Sequence, residues 1–251
     1  MEDPGPPDVV MGRRALLAVS GMALIGGPLP RMLLPPPPRP PSPADLMAVR
    51  PGPSYPLDRP LYYIDPASKA IALTIDDGPD PVYTPQVLRL LHTYRVTATF
   101  SMIGINVAAY PHLARAVAEA GHRIANHTWT HADLARLPAV AVRSELARAS
   151  DAIHAVTGVP PSLFRAPYGA WSPAVITHCE QMRMIPLDWS VDPRDWARPG
   201  VSSIVGNIMD HTRPGSIILE HDGGGNRSQT VAALRIVLPR LLHEGYHFQA
   251  P

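Results

Sequence analysis

Short apolar runs alternate with amphipathic stretches along the chain from about Lys69 onward. Seven runs predict buried β-strands: AIALTI (70–75), ATFSMIG (98–104), HRIANH (122–127), LFRAP (163–167), MIPLDWS (184–190), SIILEH (216–221) and YHFQ (246–249). Four stretches between them have helical spacing: TPQVLRLLHTY (84–94), HLARAVAEAG (112–121), AVRSELARASDAIHAVTG (141–158) and VAALRIVLPRLLHEG (231–245). Gly121, Gly158 and Gly245 lie where three of these helices should end. Because strands and helices alternate, the pattern predicts an α/β fold with a parallel sheet and, with about seven units, a barrel.

The residues before Lys69 follow a different pattern. MGRRALLAVSGMALIGG (11–27) places two arginines before a mostly apolar run that is short for a membrane span, and small residues follow. This is the layout of an export signal. Arg13 and Arg14 are compatible with a twin-arginine signal, and the sequence leaves open whether the segment is cleaved or kept as an anchor.

A proline-rich stretch follows, PLPRMLLPPPPRPPSP (28–43), which predicts a stiff polyproline spacer. We therefore divide the chain into an export-like segment (1–30), a Pro-rich linker (31–66) and a folded domain (67–251). We expect an exported protein that is extracellular or associated with the cell envelope.

The composition indicates which functional classes of protein fit this chain and which do not. The chain has 251 residues, of which 45% are hydrophobic and 17% charged, and a net charge of +1. This balance predicts a globular domain with no strong attraction to nucleic acid or to anionic membranes. The single cysteine, Cys179, excludes an internal disulfide framework, and we expect it to be inert and partly buried.

Polar clusters follow several predicted strands. In a parallel α/β barrel the functional groups lie just past the carboxyl ends of the strands, so these clusters should meet on one rim. They are Asp76-Asp77, HTWTH (127–131), RAPYG (165–169), DPRDW (192–196) and EHDGGG (220–225).

The first two clusters predict a metal site. His127 and His131 are four residues apart and can present both imidazoles on one face of a turn. A carboxylate from another strand would complete a donor set that suits Zn²⁺ in a hydrolytic site, and also other divalent transition metals such as Co²⁺. If Asp77 is that carboxylate, the neighbouring Asp76 is free to take a proton from a water that the metal activates. This division of roles explains why two like charges are adjacent at a strand end.

Five motifs occur in the order of a known family: TIDDGP, HTWTH, RAPYG, DPRDW and IILEHD. On these motifs the chain from about Lys69 to Gln249 resembles the polysaccharide deacetylases, the NodB homology domain of carbohydrate esterase family 4. Ile75 stands where the family usually has Phe, which is a change within the apolar core. The resemblance implies a distorted (β/α) barrel of about seven strands and a metal-dependent hydrolase that removes acetyl groups from a sugar.

The resemblance also implies a role for each motif residue. Asp76 would be the general base, and Asp77, His127 and His131 would bind the metal. Arg165 would orient the base.

The later motifs would supply the acid and the substrate contacts. His221 would be the general acid, paired with Asp195, and the backbone N–H of Tyr168 would help to hold the oxyanion. Trp196 would form a wall of the cleft, and Leu219 would line the pocket for the acetyl methyl group.

The sequence leaves several alternatives open. The expected substrate is an acetylated polysaccharide, with N-acetylglucosamine of peptidoglycan or chitin-type oligomers first. An O-deacetylase of another carbohydrate such as xylan, or a non-catalytic carbohydrate-binding barrel, remains an alternative. No protein partner is predicted, and the oligomeric state is open. Glu220 should point away from the site and have a packing or surface role, whereas Arg227 could steady its loop or contact substrate.

Overall fold

The structure is a computed structural model that describes residues 57–65 and 69–251. The export-like segment and most of the linker lie outside the described residues, so both assignments stay predictions. Among the described residues, no helix combines the length and the apolar character that a membrane crossing requires.

Seven parallel strands form the sheet. They are β1 (Ala70–Asp76), β2 (Thr99–Met102), β3 (Arg123–Asn126), β4 (Leu163–Phe164), β5 (Ile185–Pro186), β6 (Ile217–His221) and β7 (His247–Phe248). Their order is β5-β4-β3-β2-β1-β6, and β7 pairs with β1. The seven predicted strands are confirmed, although β4 and β5 are shorter than the apolar runs indicated. Prolines at 167 and 186 contribute to this, because proline cannot donate a ladder hydrogen bond.

The gap between β5 and β6 is bridged by residues 61–64. Leu61 N–H donates to the Pro186 carbonyl at 2.8 Å, and Ile64 N–H donates to the Gly215 carbonyl at 2.9 Å. Leu61 and Ile64 are both buried. These residues lie within the range that we assigned to the linker, and together with Ser190 and Val191, which bond directly to β6, they close the sheet into a distorted barrel.

In the part of the chain that the structure describes, seven α-helices surround the sheet. They are α1 (Thr84–Tyr94), α2 (Gly104–Ala109), α3 (Pro111–Glu119), α4 (Ala139–Thr157), α5 (Pro173–Gln181), α6 (Val201–His211) and α7 (Ser228–His243). The four predicted helices are present, and Gly121, Gly158 and Gly245 follow three of them with φ of 81°, 75° and 84°. The apolar pattern did not reveal α2, α5 and α6. Two of these are short, and α6 carries Gly206 and several β-branched residues, which lower helix propensity.

Strand β1 divides the core and places the first site residues. All seven of its residues are buried. Side chains alternate along a strand, so Ile71 and Ile75 pack against the helices, whereas Ala72 packs inside the barrel. Each buried Ile contributes about 1.5–3 kcal/mol of burial free energy. The same alternation directs Asp76 inward, at the carboxyl end of the barrel.

Candidate active site

A cleft of about 370 Å³ lies at the carboxyl ends of the strands. Its lining residues are Asp76, Asp77, His127, His131, Ala166, Tyr168, Trp189, Asp192, Trp196, Leu219 and His221. The expected meeting of the polar clusters on one rim is therefore seen. Eight of the ten site residues predicted from the sequence line this cleft. The other two, Arg165 and Asp195, are fully buried and hydrogen-bond to residues of its wall.

Three side chains form a potential metal-binding group. One donor atom from each of Asp77, His127 and His131 can be chosen so that all three lie within 4.8 Å of one another. Asp77 Oδ1 is 3.5 Å from His127 Nε2 and 3.2 Å from His131 Nε2. This oxygen is buried and has no hydrogen-bond partner among the described residues.

The orientation of the imidazoles fits a cation at this point. His127 Nδ1 lies 2.8 Å from the Arg165 carbonyl oxygen, so it donates its proton there and leaves the Nε2 lone pair directed toward Asp77. Burial and the neighbouring His127 lower the pKa of His131, which favours its neutral, ligating form. Burial alone would raise the pKa of Asp77, but the surrounding histidines hold it below its ordinary value. A carboxylate and two imidazole lone pairs therefore converge on one point, and a divalent cation fits there.

The turn after β3 positions His131. Thr128 N–H donates to Asn126 Oδ1 at 2.8 Å, and His131 N–H donates to Thr128 Oγ1 at 2.9 Å. His131 Nδ1 contacts the Tyr168 hydroxyl at 3.2 Å. The sequence suggested only a backbone role for Tyr168, so this side-chain contact is an addition from the structure.

Asp76 is held by a buried arginine. Arg165 has no exposed surface, and its Nη1 donates to Asp76 Oδ1 at 3.0 Å and to Thr74 Oγ1 at 2.6 Å. Its Nη2 donates to the Asp188 carbonyl at 2.8 Å. The second oxygen, Asp76 Oδ2, lies on the cleft side, 3.9 Å from His127 Nε2. The guanidinium thus fixes one carboxylate oxygen and leaves the other available in the cleft.

His221, at the end of β6 and beside Asp76 of β1, is paired with the carboxylate of Asp195. Asp195 Oδ1 is 2.7 Å from His221 Nδ1, and Asp195 Oδ2 accepts hydrogen bonds from His221 N–H at 2.9 Å and from Thr230 Oγ1 at 2.7 Å. Burial alone would lower the pKa of His221, but the hydrogen bond and charge of Asp195 raise it to about 9. His221 therefore carries a proton at neutral pH, and its Nε2 is the end of the ring that is not bonded to Asp195.

Comparison with known proteins identifies the family. A protein-family model described as polysaccharide deacetylase matches residues 64–185 of this chain. A chitooligosaccharide deacetylase from Bradyrhizobium sp. is 43% identical over 191 residues, which cover 71% of this chain and 87% of that protein. The chain belongs to the polysaccharide deacetylase family.

Solved structures of this family share the fold. The Bc1960 peptidoglycan N-acetylglucosamine deacetylase is 31% identical with a TM-score of 0.73, and the match covers 75% of this chain and 88% of that one. A protein from Bacillus anthracis described as a carbohydrate esterase family 4 pseudoenzyme is 28% identical with a TM-score of 0.72 and coverages of 76% and 66%. The family therefore includes barrels that differ in activity, so the function of each member has to be inferred from its site residues.

The remaining predicted residues of the deacetylase cleft form its walls. Leu219 lines the floor and is 3% exposed, whereas Trp196 and Tyr168 stand at the rim with 46% and 69% of their surface exposed. Tyr168 has a left-handed backbone, with φ of 61°. Arg194 lies over the Trp196 ring at 5.2 Å from its centroid.

Three further cleft residues were not assigned from the sequence. Trp189 is one of them. Asp192 also lines the cleft, and its position as the first residue of the DPRDW motif was the signal that could have revealed it. Ala166 is the small residue of RAPYG at the same wall.

The structure also answers the questions left open around β6. Glu220 is fully buried and does not line the cleft, so its role is in packing. Burial together with the nearby Asp195 raises the pKa of Glu220 well above the ordinary value. Arg227 donates to the Gly223 carbonyl at 2.6 Å and to the Trp196 carbonyl at 3.3 Å, so it steadies its loop.

Cys179 is buried, and burial raises the pKa of its thiol to about 12, as expected for an inert residue.

Proposed function

We propose that this protein is a metal-dependent hydrolase that removes N-acetyl groups from N-acetylglucosamine units of a polysaccharide. One observation carries the proposal: a carboxylate placed as a base and a protonated imidazole placed as an acid line the same cleft as a three-residue metal-binding group. The carboxylate is Asp76, the imidazole is His221, and the group is Asp77, His127 and His131.

Asp77, His127 and His131 would hold Zn²⁺ or another divalent transition metal such as Co²⁺. Bound there, the ion would supply Lewis-acid chemistry by polarising a carbonyl oxygen and lowering the pKa of water. Three protein ligands leave coordination positions for water and substrate, as hydrolytic metal sites require.

Asp76 would accept the proton of the attacking water. Arg165 fixes Asp76 Oδ1, which keeps Oδ2 directed into the cleft for this transfer. The oxygen of the water adds to the carbonyl carbon of the acetamide, and a tetrahedral oxyanion forms. The backbone N–H of Tyr168, on the turn at the rim, would help to stabilise that oxyanion.

His221 would complete the reaction as general acid. Its proton is delivered to the amide nitrogen while the carbon–nitrogen bond breaks, so that acetate and a free amine are released. Asp195 holds Nδ1 of the ring, which orients Nε2 for this transfer and stabilises the charged form.

The walls of the cleft support a sugar substrate. Leu219 offers an apolar surface for the acetyl methyl group, and the exposed rings of Trp196 and Tyr168 offer faces on which a sugar ring can stack. The cited relatives are named as deacetylases of chitooligosaccharide and of peptidoglycan N-acetylglucosamine, which supports an N-acetylglucosamine polymer as substrate.

A non-catalytic barrel is the alternative from another functional class, because a structural neighbour is described as a pseudoenzyme. The retained base, ligands and acid of this chain favour catalysis. An O-deacetylase acting on a polymer such as xylan would use the same groups with an easier leaving group.

The test measures acetate release from chitin oligomers, peptidoglycan and acetylxylan by the metal-free protein and by the protein reloaded with Zn²⁺ or Co²⁺. We expect release from the first two substrates only after reloading. Equal release by a verified metal-free sample would contradict the metal-dependent mechanism. Release from acetylxylan alone would replace the substrate, and no release from any substrate would favour the binding barrel.

We also propose export of this protein, supported by Arg13, Arg14 and the apolar run after them. A reporter fused behind residues 1–43 should leave the cytoplasm of a bacterial host. A reporter that stays cytoplasmic would argue against export.

A further inference from the structure

The four-residue step from His127 to His131 is a turn with an unfavourable backbone. Thr128 and His131 both have left-handed conformations, with φ of 66° and 61°. Non-glycine residues rarely adopt this region, and a β-branched residue such as Thr128 does so least readily. Such a turn persists where surrounding contacts determine it.

A carboxylate from helix α4 supplies part of this restraint. Glu145 Oε2 accepts hydrogen bonds from Trp129 N–H at 2.9 Å and from Thr130 N–H at 2.8 Å. Its other oxygen, Oε1, accepts a hydrogen bond from Thr130 Oγ1 at 3.0 Å. Glu145 thus binds the two consecutive residues that lie between Thr128 and His131, and both of its oxygens are used.

The same helix holds the turn by two further contacts. Arg148 lies over the Trp129 ring at 4.3 Å from its centroid, one helical turn along from Glu145. Asn126, which begins the turn, donates to the Leu146 carbonyl at 2.7 Å and to Ser150 Oγ at 2.9 Å. The turn is therefore docked on one face of α4 along several residues.

The two histidines differ in what holds them. His127 directly follows β3, its ring nitrogen is bonded to the Arg165 carbonyl, and it is 3% exposed. The side chain of His131 is 24% exposed, and its ring contacts the hydroxyl of the exposed Tyr168 at 3.2 Å. The position of His131 therefore depends on the turn, whereas that of His127 depends on the barrel.

We propose that Glu145 is a positioning residue for the metal ligand His131, and that it sets the metal affinity of the site by holding the turn through Trp129 and Thr130. It contacts neither substrate nor metal and acts through the backbone. The proposal rests on the metal site of the proposed function. Residues that orient a ligand in this way typically change metal affinity by about 10–100-fold when they are replaced.

The test compares Glu145→Ala, which removes all three hydrogen bonds, with the matched control Asp151→Ala. Asp151 is an exposed carboxylate on the same helix, so its change also removes one negative charge from α4. Zn²⁺ is titrated into each metal-free protein in competition with a chromophoric chelator. We expect the Kd of Glu145→Ala for Zn²⁺ to rise by about 10-fold or more, and that of Asp151→Ala to stay within about twofold of the unchanged protein.

A second readout separates positioning from a general loss of structure. Two-dimensional NMR of the histidine side chains in the metal-free protein should show shifted or broadened His131 signals in Glu145→Ala, with His127 signals retained. At saturating Zn²⁺ the kcat should recover to near the unchanged value, because the base and acid are untouched.

The outcomes are distinguishable. If the unchanged protein fails to bind Zn²⁺, the proposed function itself is wrong. If it binds Zn²⁺ and Glu145→Ala binds equally well, or Asp151→Ala weakens binding as much, the role of Glu145 is wrong. Should Glu145→Ala not fold, Glu145→Asp keeps the charge but shortens the side chain by one CH₂ group, which withdraws the carboxylate from the two backbone N–H groups, and an unchanged Kd in that variant would overturn the proposal.

Discussion

The two sides of the cleft use histidine in opposite ways. On the metal side, burial and a neighbouring imidazole lower the pKa of His131. On the acid side, His221 is also buried, but the hydrogen bond and charge of Asp195 raise its pKa to about 9. At neutral pH the first environment favours a lone pair and the second retains a proton.

The difference lies in how the nearest carboxylate is shared. Asp195 is bonded to the side chain and backbone of His221 and to Thr230, so its charge is committed to one imidazole. Asp77 is shared by His127 and His131, and neither is bonded to it within 3.0 Å. Here the carboxylate that is bonded to one imidazole keeps that imidazole protonated, so that it can act as an acid. The carboxylate that faces two imidazoles forms a site for a cation.

Loss of a ligand on the metal side should have the largest effect. His127→Ala removes the more rigidly held imidazole, so we expect most bound metal and nearly all acetate release to be lost. Metal content by plasma mass spectrometry and acetate release measure both effects. His92→Ala, at an exposed position on α1, is the control, and a His127→Ala protein with full metal content would contradict the assignment.

Replacing each residue of the acidic pair should separate base from ligand. Asp76→Asn keeps an oxygen for Arg165 but cannot take a proton, so it should keep its metal and lose about 10²-fold or more of kcat. Asp77→Asn replaces an anionic ligand by a neutral one, so its metal affinity should fall and activity should return in part at high metal concentration. Metal titration and acetate release at saturating metal are measured on both variants. The opposite pattern would exchange the two roles.

The acid side should show its pairing in the pH profile. His221 donates a proton only while it is charged, so activity should persist below pH 9 and fall as pH rises through about 9. In Asp195→Asn the carboxylate no longer offsets burial, so the alkaline limb should move down toward or below 6.5, and the rate should fall by about 10²-fold. Asp210→Asn, an exposed site on α6, is the control. An alkaline limb that stays in place would show that Asp195 does not set this pKa.

The contact between Tyr168 and His131 should have the smallest effect. Tyr168→Phe removes a hydroxyl 3.2 Å from His131 Nδ1 and keeps the ring and the backbone N–H. We expect a change of about two- to fivefold in metal affinity, below the roughly 10–100-fold effect typical of groups that orient ligands, because the turn still holds His131. Titration with Zn²⁺ measures it, and a loss as large as that of His127→Ala would mean that the hydroxyl has a more direct role.

Most of the barrel could be predicted because β1, β2, β3 and β6 are apolar runs flanked by clear helical patterns. The metal group was also predictable, since His127 and His131 are close in sequence and Asp77 ends a recognisable strand. The apolar pattern could not show which residues that are distant in sequence come into contact in the fold. Glu145 lies in a long helix and has no motif of its own, and only the docking of α4 brings it to the turn.

Helices α5 and α6 could not be predicted for a different reason, because their own sequences are weakly helical. In α5 the buried residues are Val175 and Cys179, which is too few to make a periodic stripe. In α6, Gly206 and the serines interrupt the helical composition. Packing of α5 against α4 and β5, and of α6 against α7, stabilises helices whose local sequence is weak. That contribution is not visible before the fold is known.

The bridging segment 61–64 gives the barrel a property beyond closure. Ser190 and Val191 pair directly with β6, but without residues 61–64 the Pro186 carbonyl of β5 and the Gly215 carbonyl just before β6 would lose their partners Leu61 and Ile64, and this part of the sheet would be an open edge. An open edge of unpaired carbonyls and amides can template pairing with another chain. A shortened protein that begins at Lys69 would keep all seven strands and every proposed site residue, yet we expect it to self-associate.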